Sequence, residues 1–260
     1  MKDIKRKRLD PKINAQLKKL ASIISKNYNR FNVNTKVGEI FFENDLGENG
    51  FVEIYAWKNL PFYAQLLGDK IDEFTIQVKA LESEKEVYNA LFHEMLHATD
   101  PDFFDDETWE DYDPEEDESY FGHKLEFRTM TNEFLNALSN VFKEKLKDSN
   151  SLTKKKLHDA LTNIVNYYFH DDTLKDFSAD LLDYAAGGIK FSNNELDDLM
   201  SRIQLQYPGE YTLTTKTSKR EKLPVFIRGY LNKIREYNPK QWTDFMSMLL
   251  STQEEISEMF

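Results

Sequence analysis

The sequence predicts an α+β fold, with a β-containing N-terminal half followed by an all-helical C-terminal half. Alternating apolar residues fall in short runs between positions 36 and 80, and a two-residue period marks strands. Beyond residue 120 the apolar residues recur three and four apart, which marks helices. The polar run KDSNS near residue 150 separates two regions, 1–150 and 151–260. Strands gathered at one end and helices at the other are the layout of an α+β chain.

Taken in order, residues 12–28 place Ile13, Leu17, Leu20, Ile23 and Ile24 on one face of an amphipathic helix. KVGEIFF (36–42) and FVEIYAW (51–57), joined by ENDLGENG, read as a β-hairpin with a longer turn. In DEFTIQVKA (72–80), Phe74, Ile76 and Val78 alternate, giving a third strand. Ser83 and Glu86 stand at capping-box spacing and start a second helix. Pro101 disfavours helix at Asp100, so this helix ends near Thr99. Further helices are expected near 123–147, 152–169, 173–186, 193–206, 221–236 and 239–258, with breaks at Gly187–Gly188 and Pro208–Gly209.

A chain of 260 residues builds its core without staples. The absence of cysteine excludes disulfides, Cys-ligated zinc, iron–sulfur clusters and thiol nucleophiles. No stretch approaches the ~18 apolar residues of a membrane span, and the basic start (Lys2, Lys5, Arg6, Lys7, Arg8) lacks the apolar core of a secretory signal. The expected setting is intracellular, with no membrane partner. The net charge of −12 has a single source: twelve acidic residues and no basic ones lie between Asp100 and Glu118, and the remainder balances at 34 against 34. That is unlike a nucleic-acid mimic, whose charge would cover a surface, and nucleic acid is not an expected partner. Charge at this density favours an extended, solvated loop over 100–118, with Phe103, Phe104, Trp109 and Tyr112 available to pin it to the body.

The chemistry is carried by His93-Glu94-Met95-Leu96-His97, an HExxH pattern on the second predicted helix. Residues four apart share a helix face, so both imidazoles can hold one ion. Zinc accepts such nitrogen ligands and keeps a position open for water in catalytic sites. The glutamate beside the first histidine is placed to act as general base. The motif uses two of only five histidines and is set among the uncharged residues Leu91, Phe92, Met95, Leu96 and Ala98. Against this stands the plain alternative of a core helix with two hydrogen-bonded histidines.

In these residues the chain resembles the zincin metallopeptidases, over roughly positions 35–140. The resemblance implies a Zn²⁺ site, a peptidase activity with Glu94 as the catalytic base, and an edge strand, here DEFTIQVKA, pairing with extended peptide. The metzincin subtype is excluded, because Asp100 and Phe103 stand where it requires Gly and His. A gluzincin-like arrangement remains, in which His93, His97 and a downstream glutamate bind the metal. SYFGHKLEFRTMTNEFLNAL (119–138) is similar to the segment after HExxH in viral and bacterial zincin-like proteins, and on that analogy the third ligand is Glu126. Glu133 and His123 stay open as alternatives. Tyr120 or His123 is the candidate oxyanion donor. Asp100 either orients the His97 ring or belongs to ordinary loop chemistry. The expected partner is a polypeptide, basic or unfolded, drawn by the acidic loop. Alternatively the chain is an inactive zincin scaffold serving an interaction or viral assembly, or a helical binding module in which the motif is accidental.

Overall fold

The computed structural model describes residues 9–44, 47–70, 73–100, 103, 123, 125, 126, 128–133, 136, 248 and 251. The first helix, α1 (Pro11–Lys26), starts where Asp10 accepts a hydrogen bond from the Lys12 amide and Pro11 supplies a preset φ. Its buried stripe is Ile13, Leu17, Leu20, Ala21 and Ile24. Ile23 falls outside this stripe at 39% exposed, being about 100° round the helix axis from Ile24. The expected end at residue 28 is a separate 3-10 turn, Tyr28–Arg30.

The predicted hairpin is present as β1 (Thr35–Glu43) and β2 (Asn49–Trp57), paired antiparallel. Its connection contains Gly47 at φ +80°, a conformation that glycine adopts without steric cost. Two further strands follow, β3 (Ala64–Lys70) and β4 (Glu73–Lys79). β3 escapes prediction because AQLLGDK is poor in β-branched residues and shows no alternation. It becomes a strand by pairing with β4, the tertiary override of weak local propensity.

The strand order is β1-β2-β4-β3. The segment expected at the sheet edge, DEFTIQVKA, therefore lies inside the sheet, parallel to β2 on one side and antiparallel to β3 on the other. This corrects the expectation: the unforeseen β3 takes the edge beside it. Register aligns Ile40, Val52 and Phe74 across three strands, and Ile54, Ile76 and Leu66 across another three. All point to one face, where α1 and a second helix, α2 (Glu84–Ala98), complete the core.

α2 begins as its sequence implies, with Ser83 Oγ accepting from the Glu86 amide at 3.2 Å, and ends at Thr99. Val87, Leu91, Met95 and Ala98 face the core. The helix packs on α1, β3 and β4, and Tyr88 donates to Asn14 of α1. These elements, with His123–Thr129, belong to one compact unit. The chain from Met130 onward belongs to a second unit, in which Met130, Thr131, Asn132, Glu133 and Met248 are buried.

Residues 125, 126, 128–133 and 136 are helical, within the helix expected near 123–147. Met248 and Ser251 are helical within the one expected near 239–258. The helices predicted over 152–236 and the boundary near 150 lie outside the described residues. Among the described residues, no helix is long and apolar enough to cross a membrane.

Candidate metal centre

Helical periodicity brings His93 and His97 onto one face of α2, one turn apart. Their rings meet edge to face with centroids 4.8 Å apart, and their Nε2 atoms are 3.1 Å apart. The third corner comes from a distant part of the chain. Glu126 places Oε2 at 3.3 Å from His93 Nε2 and 3.4 Å from His97 Nε2. Among the described residues, these three side chains form the group able to hold a metal; His123 and Glu133 do not belong to it. Tyr120 lies outside the described residues, as do His158 and His170.

The triangle can be tested against an ion. Tetrahedral bonds of about 2.0–2.1 Å hold ligand atoms about 3.3–3.4 Å apart. The three edges, 3.1, 3.3 and 3.4 Å, lie close to that spacing. Two imidazole nitrogens and one carboxylate oxygen suit zinc or a similar transition ion, not the all-oxygen shells of calcium or magnesium. The residues therefore fit the metal that the motif implies.

Burial varies around the triangle. The Glu126 side chain is 7% exposed and that of His97 3%, whereas that of His93 is 16% exposed, so access from solvent is greatest at His93. Burial by itself pushes the Glu126 carboxyl upward. The adjoining His97 and His93 rings outweigh it, and the group is held well below the ordinary carboxylate range. It is therefore an anion ready to ligate. Glu94, the candidate base, is 9% exposed. One residue past His93, it lies about 100° round the helix axis from that ring and about 60° from His97.

Further residues surround the triangle, and of these Thr129 and Arg128 have no sequence signal. Thr129 Oγ1 stands 3.3 Å from Nδ1 of His97. Asp100, considered earlier as the partner of that ring, has Oδ1 accepting from Arg128 Nη1 at 3.4 Å, and its amide donates to the His97 carbonyl at 2.9 Å. Phe103 packs edge-on against Phe74 with centroids 5.8 Å apart and lies 6.1 Å from the His97 ring. The start of the acidic segment is thereby pinned beside the site, as its aromatics suggest. Phe104, Trp109 and Tyr112 lie outside the described residues. Asn89, one turn before His93, is 2% exposed, and neither amide atom is hydrogen-bonded among the described residues. Only the four-residue spacing to His93 hints at it in the sequence.

Comparison with protein-family models, curated proteins and solved structures finds no match for this chain.

Proposed function

We propose that the chain is a zinc-dependent peptidase of gluzincin-like type, with His93, His97 and Glu126 as ligands and Glu94 as general base. The observation that carries this reading is the triangle of donor atoms with edges of 3.1 to 3.4 Å, built from both histidines of an HExxH helix and one distant carboxylate. An ion held there supplies Lewis acidity, making a water more acidic and a carbonyl more electrophilic. The chain's own residues do the rest. Glu94 accepts the proton of the attacking water and passes it to the departing amine. The 16% exposure of the His93 side chain leaves that side of the triangle open to substrate.

A polypeptide substrate is supported by the sheet. Among the described residues β3 is an edge strand, and it packs against α2. Such an edge offers backbone groups to an extended peptide. The acidic stretch from Asp100 to Glu118 links α2 to Glu126 and favours a basic or unfolded chain, an attraction that salt weakens.

The decisive comparison is wild type against Glu94→Gln. The variant should bind zinc as the parent does while losing cleavage of a Lys-rich peptide library. If both proteins cleave equally, Glu94 is not the base. If both bind zinc and neither cleaves any peptide, the site belongs to a metal-holding interaction protein instead.

A further inference from the structure

We infer that Thr129 is a positioning residue that holds the His97 ring in register for the metal in both the empty and the loaded site. The inference rests on the metal-centre reading above and adds a residue to it. Thr129 Oγ1 and His97 Nδ1 are 3.3 Å apart, and the two residues are 2% and 3% exposed. Nδ1 is the ring atom that takes no part in the triangle. In such a buried place a polar atom without a partner is costly, because it has given up water and gained nothing in return.

The choice of a hydroxyl has a chemical consequence. A neutral imidazole carries one proton, on either Nδ1 or Nε2. Without an ion, a proton on Nε2 of His97 would face the Glu126 carboxylate, whose Oε2 stands 3.4 Å away, and the Nε2 of His93 at 3.1 Å, leaving Nδ1 as an acceptor. With an ion bound, Nε2 would give up its lone pair to it, so the ring proton would sit on Nδ1, which would become a donor. A threonine hydroxyl serves both states by rotating about one bond, donating in the first and accepting in the second. A carboxylate there would suit only the second state. The ring need not move between them.

Thr129 reaches this position because it follows Glu126 by three residues on a helical stretch, so both side chains share a face. One segment thus addresses both nitrogens of the same ring. The Arg128–Asp100 pair, at 3.4 Å, ties that segment to the residue just past the C-cap of α2.

The test measures zinc affinity by chelator competition for wild type, Thr129→Val and Thr129→Ser. Valine keeps the shape and removes the hydroxyl, so affinity should fall about 10- to 100-fold. Serine restores the hydroxyl and should recover most of that loss. An unchanged affinity in Thr129→Val overturns the role of Thr129 while leaving the metal centre intact. A wild type that binds no metal overturns both. Should the valine variant not fold, long-range ¹H–¹⁵N spectra of labelled wild type decide. The His97 proton should sit on Nε2 without zinc and on Nδ1 with it, and a proton on Nδ1 in both states overturns the inference.

Discussion

Replacing Glu126 by alanine removes one corner of the triangle and leaves two imidazoles that cannot by themselves close a tetrahedral site. The effect is best read as the stability that zinc adds. At a free zinc concentration 100 times the wild-type Kd, binding stabilises the folded chain by about 2.7 kcal/mol. Losing even a residue that only supports a ligand costs about 10- to 100-fold in metal affinity, so losing the carboxylate itself should cost at least ~100-fold. The same zinc concentration then only equals the weakened Kd, and the stabilisation falls to about 0.4 kcal/mol. For a unit of this size about 4 °C accompanies each kcal/mol. Zinc should therefore raise the wild-type melting temperature by about 10 °C and that of Glu126→Ala by about 2 °C. Differential scanning calorimetry, with each protein measured in chelator and in buffered zinc, reads this directly. Equal zinc-induced shifts in the two proteins would show that Glu126 is not a ligand, whatever its distance from the histidines. A wild type indifferent to zinc would refute the centre altogether.

Other perturbations separate the site from its scaffold. Ile76→Ala empties a fully buried position on β4 and should cost about 2–5 kcal/mol by chemical denaturation. Gly68→Ala should cost about 1–3 kcal/mol, because the added Cβ would stand 2.9 Å from the Phe74 ring and 3.2 Å from the Glu73 carbonyl. Gly38→Ala should cost less, since its close contact is the far end of the Leu20 side chain, which can change rotamer, and not backbone; a reversed order in urea melts would contradict this packing. Zinc affinity should weaken on acidification, because protons compete with the ion for both imidazoles. Glu126 works at lower pH. Its folded value is depressed, so its contribution is complete above the unfolded carboxylate value and is lost only as pH falls through the folded one. Chelator competition just below neutral pH should accordingly show no loss that depends on Glu126.

What the sequence made legible was local. The four-residue spacing of His93 and His97, the Ser83 cap and the alternation of Phe74, Ile76 and Val78 each depend on neighbours a few positions away, and each element stands where those patterns put it. Glu126 was selected by resemblance, since nothing in its own surroundings distinguishes it from Glu133. β3 and the interior position of β4 were not legible, because strand order is decided by which edges meet. The same holds for Thr129 beside His97 and Arg128 beside Asp100. Those contacts join residues 32 and 28 apart, and no periodicity spans that distance.

The lane that β4 fills is walled by β2 and β3, both of which precede it in the chain. β3 joins the sheet only through β4, and α2 follows β4 after only four residues. The two imidazoles share one helix, but the third donor stands 29 residues beyond His97, so the full triangle needs a long-range contact and an ion grips all of it only in the finished structure. Zinc should accordingly slow escape from the native state without hastening arrival, and stopped-flow refolding rates should be the same with and without it.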